Sequence, residues 1–268
     1  MVEQSRGVPA TPAARGFGVA TLISSAVREV RAHWPQALAL WIAGFALAVG
    51  QRAVRDWGVA TLPHPGLSPA WLGEALLRDV AAAILAALAL RLFLVPGPRW
   101  WRPDRGFAAC VALLTLASVA LGAQGLLTIA AGRGAGLPEL FGRQLLWAAT
   151  AVLLFWVFVR LLLWPVGALL GDAKVTPRRS WSLMEGYVGG YVLAVIVINL
   201  PILLVSLLDA AAAIRSPQGF AAHPRLGFTV AASLLGPAAQ ILQLAMTAIL
   251  YRARTGFGGE AALESTRR

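Results

Sequence analysis

The sequence predicts an all-α fold: a polytopic transmembrane helical bundle of six spans, with amphipathic interfacial helices on the cytoplasmic side. Three observations carry that prediction. Of the 268 residues, 58% are apolar and only 13% are charged, against about 45–50% and about 25% in soluble domains. Long uncharged runs recur along the chain, and the segments joining them alternate between many and few basic residues. The composition, with a mean hydropathy of +0.70, excludes a soluble globular domain, a disordered chain and a collagen-like repeat. It also excludes a disulfide scaffold, because the single cysteine, Cys110, lies in an apolar run.

A helix crossing ~30 Å of hydrocarbon at ~1.5 Å per residue needs ~20 mostly apolar residues. Between ionisable side chains, uncharged runs of 20 (32–51), 27 (106–132), 23 (186–208) and 26 (226–251) residues reach that length. Two further runs are interrupted. Residues 80–90 continue past Arg91 through Leu92-Phe93-Leu94-Val95, and 144–159 continue past Arg160 through Leu161-Leu162-Leu163-Trp164. An arginine near a helix end snorkels to the headgroups, so both runs count as spans. Spans are therefore expected near 36–54, 74–95, 106–127, 141–163, 187–208 and 227–250, all within one transmembrane domain over 17–254.

The net charge of +11 comes from 22 arginines and Lys174 against 12 carboxylates. These charges are scattered between apolar runs and form no continuous basic face, so nucleic acid is not the expected partner. Topology explains them instead. The N-terminal segment carries Arg6, Arg15, Arg28 and Arg31, and the second connection carries Arg91, Arg99, Arg102 and Arg105. The fourth connection has Arg160, Lys174, Arg178 and Arg179, and the tail has Arg252, Arg254, Arg267 and Arg268. These segments hold sixteen of the 23 basic residues, and the alternate connections hold seven. Basic loops stay inside, so both termini are expected to be cytoplasmic. The first apolar run follows some 35 residues that include four arginines, too long a start for a cleaved signal peptide.

Residues 1–16 read as a disordered tail and 255–268 as a cytoplasmic one. Over 18–34, Val19, Ile23, Val27, Val30 and Trp34 recur at helical spacing before Pro35. This predicts an interfacial helix on the cytoplasmic leaflet, with packing against a partner protein as the other use of the stripe. Trp57 to Trp71, with Pro63, Pro65, Gly66 and Pro69, reads as an outer loop. Gly132-Arg133-Gly134-Ala135-Gly136 reads as an outer turn, and no strand precedes it as a nucleotide loop would require.

The fourth connection is the most informative. In Thr176-Pro177-Arg178-Arg179 the threonine suits an N-cap and the proline the first helical position. Trp181, Met184 and Val188 follow at helical spacing, giving an amphipathic helix near 177–185, with Gly186, Gly189 and Gly190 where the chain bends into the next span. Pro165 is expected to kink or end the fourth helix. The residues Arg160-Leu161-Leu162-Leu163-Trp164-Pro165, then Arg179-Ser180-Trp181-Ser182-Leu183 and Gly186, resemble a family of bacterial inner-membrane proteins: the membrane domain found alone or fused to glycerophosphodiester phosphodiesterases. The likeness in topology covers roughly 20–252, and the likeness in residues covers about 160–190. Glu185 stands where that family carries a basic residue. The resemblance implies a membrane-embedded helical bundle of the bacterial inner membrane, without implying catalysis.

No H-E-x-x-H or G-x-S-x-G motif occurs, and no stretch matches the some 250 residues of a soluble catalytic barrel. His33, His64 and His223 lack metal-ligand spacing. Meeting Asp56, Glu74 or Asp209 at an outer metal site is the alternative for His64 and His223, and solvated loop histidines the preferred reading. No enzyme, cofactor or metal is therefore expected. Two functional classes remain. One is a non-catalytic interaction or lipid-associated module, in which Lys174, Arg178, Arg179 and Trp181 hold the phosphate of an anionic membrane lipid. The alternative is a small-molecule or ion transporter using Asp79, Asn199, Gln240 and Gln243. Plain topological charge explains the first set and local pairing or helix-helix hydrogen bonding the second. Gly167 with Gly171, and Gly186 with Gly190, have the spacing of close helix contacts, so a homo-oligomer or a membrane-protein partner is a further expectation.

Overall fold

The computed structural model describes residues 18–61, 69–95, 97, 100–131, 137–215 and 226–257. The expected N-terminal tail, the C-terminal tail beyond residue 257, the glycine turn at 132–136, His64 and His223 lie outside them. Among the described residues the regular structure is entirely helical. In chain order the helices are α1 (Val19–Ala32), α2 (Trp34–Thr61), α3 (Pro69–Leu94), α4 (Arg105–Ala131), α5 (Leu137–Leu161), α6 (Leu163–Leu170), α7 (Pro177–Leu183), α8 (Val188–Arg215) and α9 (Leu226–Thr255).

Among the described residues, four stretches are long and apolar enough to cross a membrane: Arg105–Gly122, Ala148–Leu170, Val188–Leu208 and Val230–Thr255. Helices α1 and α2 meet at a 98° bend and make a fifth if counted as one span. Helix α3 has the length, but Glu74, Arg78, Asp79 and Arg91 place at least three charges in any 18-residue stretch of it. Charge, rather than length, sets α3 apart.

The helix breaks follow local chemistry. The α1–α2 bend falls at His33, whose N–H donates to the Val30 carbonyl at 3.2 Å. Pro35 then sits in the first turn of α2, where its missing N–H is harmless. Pro165 has no N–H for the carbonyl of Leu161, four residues earlier, and α5 ends at Leu161. The Leu162 N–H instead closes a tighter turn on Val159 at 3.3 Å, and α6 begins at once. Helix α6 stops at Gly171, whose φ of +68° is the left-handed conformation glycine adopts freely. The Asp172 N–H reaches back to the Gly167 carbonyl at 2.9 Å, completing a glycine-terminated cap.

The core gathers at one end of the bundle. Leu22 and Ala26 of α1, Leu90 and Phe93 of α3, Leu163 and Val166 of α6, Leu183 and Met184 beside α7, Tyr191 of α8, and Met246 and Tyr251 of α9 belong to one buried cluster. We refer to this as the packed end. Away from it, the described parts of α4, α5 and α8 expose Leu116, Val152, Leu153, Leu200, Leu204 and Leu207. Large exposed apolar side chains are what lipid, rather than water, accepts as neighbours.

Helix α1 turns its apolar face onto α8 and α9 of its own chain. The face is rotated from the expected stripe. Leu22 and Ala26 are buried with Val19, Ile23 and Val30 beside them, while Val27 points away, and Trp34 (61% exposed) lies beyond the bend, at the start of α2. Between α2 and α9 contact is close: a Cβ on Gly44 would lie 2.9 Å from the Pro237 Cβ. One turn away the Trp41 indole N–H donates to the Leu234 carbonyl at 2.9 Å, near Pro237, which sits inside α9 and has no N–H to give the Ser233 carbonyl.

Candidate functional site

The four transport candidates are dispersed over α3, α8 and α9. Asp79 accepts from its chain neighbour Arg78 at 3.0 Å. Asn199 donates to the Val195 carbonyl of its own helix at 2.7 Å. Gln240 is exposed and Gln243 half-buried. Among the described residues no hydrogen bond joins any two of the four. Two apolar cavities lie between α4 and α5 near Leu116, Phe158 and Trp164 (about 230 Å³), and between α3 and α4 near Ile84, Val111 and Val119 (about 570 Å³). A third, polar one, of about 550 Å³, opens at the packed end beside Arg91 and Arg105. None of these three is lined by Asp79, Asn199, Gln240 or Gln243.

The phosphate candidates are brought together, on and just before α7. Asp172 starts the turn by accepting the Lys174 N–H at 3.1 Å. Gly167 lets Val175 fold back onto α6, since a Cβ there would sit 2.6 Å from that of Val175. This glycine therefore serves a contact within the chain. Thr176 caps α7 by accepting the Arg179 N–H at 3.2 Å, with Pro177 as the first helical residue. The cap takes up one of the free amides at the start of α7, so any phosphate there meets side chains instead. Lys174, Arg178 and Arg179 are exposed, and none has a side-chain partner among the described residues. Ser180, Leu183 and Met184 form the buried side. Gly186, at φ +80°, ends this segment, so Val188 belongs to the next helix.

Trp181 is half-exposed and takes part in a cluster that spacing did not disclose. Its ring meets Trp156 edge-on at 5.0 Å. The Arg160 guanidinium carbon lies 5.1 Å from the Trp156 centroid and 5.3 Å from that of Trp181. Arg160 Nη1 donates to the Trp181 carbonyl at 3.2 Å, and buried Ser180 Oγ donates to the Arg160 carbonyl at 3.0 Å. Cation–π contact of this kind contributes about 0.5–1 kcal/mol at an exposed site. Trp156 and Arg160 are four apart on one helix face, so half of the cluster was legible in the sequence. The α7 half was not.

The other arginines of the packed end tie distant helices together. Arg252 of α9 donates to Glu29 of α1 at 2.5 Å and to the Phe93 carbonyl at 2.8 Å. Arg254 donates to the Leu183 carbonyl at 2.9 Å, with its guanidinium carbon 4.7 Å from the Tyr187 ring centroid. Tyr251 donates to Asp172 at 2.9 Å, and Tyr191 shares a buried hydrogen bond with Thr247 at 3.1 Å. Arg91, only 8% exposed, bridges to the Asp104 carboxylate and donates to the Arg102 carbonyl. The Nε–H groups of Arg91, Arg160 and Arg252 are enclosed and lack an acceptor among the described residues. An unsatisfied buried donor costs about 1–3 kcal/mol, which the paired nitrogens of the same guanidinium must offset.

Together these features define a helical membrane protein: apolar helices of membrane-crossing length, joined at one end by a polar, arginine-rich node. Comparison with family models, curated proteins and solved structures finds no match to the chain.

Proposed function

We propose that this chain is a six-span protein of the bacterial inner membrane, with both termini and the packed end on the cytoplasmic side. In this reading α1 and α7 lie at the headgroup level and α3 crosses as a span despite its charges. Its role is non-catalytic: it is a lipid-associated module holding anionic headgroups through Lys174, Arg178 and Arg179, with Trp181 as the interfacial anchor. One observation carries the assignment. Arg91, Arg160, Arg252 and Arg254 are engaged by partners inside the protein, whereas these three cations are exposed and unengaged. Charges left free beside two half-exposed tryptophans suit a phosphate-rich interface.

The likeness of residues 160–190 to the membrane domain associated with glycerophosphodiester phosphodiesterases belongs to this proposal, which takes from it a membrane bundle and no reaction. The local bonding of Asp79 and Asn199 weighs on the same side, against the transporter alternative. The test is native mass spectrometry of the full chain released from mild detergent, titrated with phosphatidylglycerol. Each basic residue near an anionic surface contributes about 1 kcal/mol, so Arg178→Ala with Arg179→Ala should weaken retention about 30-fold. Unchanged retention would remove the assignment.

A further inference from the structure

A second polar feature at the packed end lies apart from α7. The cavity of about 550 Å³ opens between the end of α3, the start of α4 and the end of α6. One wall is charged, with Arg91, Asp104 and Arg105, and the other is apolar, with Val95, Leu169 and Leu170. The two walls are held apart by a fixed contact beside the opening. A Cβ on Gly106 would lie 2.6 Å from the Leu169 carbonyl oxygen, so only glycine lets the start of α4 rest on the end of α6.

The charges on the polar wall are not equivalent. Asp104 is fully engaged: one carboxylate oxygen takes the Arg91 guanidinium, and the other accepts the Phe107 N–H at 2.8 Å, capping α4. Arg91 is therefore neutralised, although its enclosed Nε–H still lacks an acceptor among the described residues. Arg105 stands next to this pair, exposed and without a side-chain partner among the described residues. The cleft thus presents one net positive charge, carried by Arg105, opposite an aliphatic wall.

We propose that this cleft is a binding site for a single anionic amphiphile, a phosphate joined to an apolar chain. Arg105 would pair with the phosphate, and Val95, Leu169 and Leu170 would receive the apolar root of the molecule. A cleft with a cationic wall and an aliphatic wall discriminates in favour of an anionic amphiphile, since a purely polar anion leaves the second wall uncovered. A phospholipid carries both parts, whereas a soluble glycerol phosphate offers the charge alone. The inference rests on the proposed placement of the packed end at the headgroup layer, but it uses none of the α7 residues.

The test uses the full chain in mild detergent, with lipid retention followed by native mass spectrometry. The probes are phosphatidylglycerol, phosphatidylcholine and soluble glycerol 3-phosphate, and the variants are Arg105→Glu, Arg105→Gln and Leu170→Trp. A glutamate at the first helical position suits the helix N-terminus, so the charge reversal should leave folding intact. One retained phosphatidylglycerol should weaken roughly tenfold with Arg105→Glu, and less with Arg105→Gln. Leu170→Trp should fill the cleft and displace the same lipid. Phosphatidylcholine should bind there more weakly than phosphatidylglycerol. Displacement of the lipid by millimolar glycerol 3-phosphate would show that the apolar wall contributes nothing and would overturn the proposal, and resistance to it would support it. Retention unaffected by all three variants would overturn the proposal. If Arg178→Ala with Arg179→Ala abolishes retention while Arg105→Glu leaves it whole, the α7 reading stands and the cleft reading falls; the reverse result does the opposite.

Discussion

The two ends of the described bundle are built on different principles. At the packed end, short helices, turns and helix termini interlock, and polar side chains reach across long sequence separations: Glu29 to Arg252, Asp172 to Tyr251, Arg160 to Trp181. Away from it, α4, α5 and α8 run as apolar rods whose described side chains are mostly half-exposed or exposed. Lipid removes the need to bury leucine, because hydrocarbon tails are as apolar as leucine itself. Specific shape must then come from close contacts and hydrogen bonds, which cluster where the chain leaves the apolar runs.

The largest expected effect comes from opening the ion pair between buried Arg91 and the half-exposed Asp104. Asp104→Ala leaves the buried guanidinium of Arg91 without its carboxylate and removes the cap of α4, and should lower stability by about 2 kcal/mol, less than for a fully enclosed pair because water reaches Asp104. Asp79→Asn keeps an amide oxygen that still accepts from the neighbouring Arg78, and should cost under about 1 kcal/mol. Unfolding midpoints in one detergent compare the two directly, and equal losses would erase the contrast between the ends.

An effect of similar size separates leucine from leucine. Leu163 is fully buried, whereas Leu207 is 66% exposed. Leu163→Ala should cost about 2 kcal/mol, the low end of the cavity range, because the lost neighbours are packed protein atoms. Leu207→Ala should fall within about 0.5 kcal/mol, since lipid fills the space it vacates. Smaller is the effect of Tyr251→Phe. It deletes the hydrogen bond to Asp172 while keeping the ring, and should cost about 1 kcal/mol in the same thermal assay. A neutral result would show that the turn after α6 holds without α9.

Much of this division was legible in the sequence, and the reasons for the rest are physical. Apolar runs report what lipid accepts, so α4, α8 and α9 follow from counting uncharged residues. Local chemistry also reads well: Thr176-Pro177 marks the start of α7, and Pro165 accounts for the end of α5. The phase of α1 read only in part: Val19, Ile23 and Val30 pack against the core, but the face centres on Leu22 and Ala26, set by what α8 and α9 offer, and Val27 turns outward. The arginine contacts were illegible for a related reason. Nothing local pairs Arg252 with Glu29, 223 residues away, or seats Arg160 beside a tryptophan from a separate short helix. Single apolar stretches specify helices, while the node depends on which ends meet.

The most direct test of the account is the sidedness of the packed end. Lys174→Cys and Trp101→Cys place exposed thiols in two different connections, while the native Cys110 is buried. A membrane-impermeant thiol reagent should label both positions in everted bacterial inner-membrane vesicles and neither in intact cells. Labelling of either position from outside intact cells would contradict the assignment of this end to the cytoplasmic face.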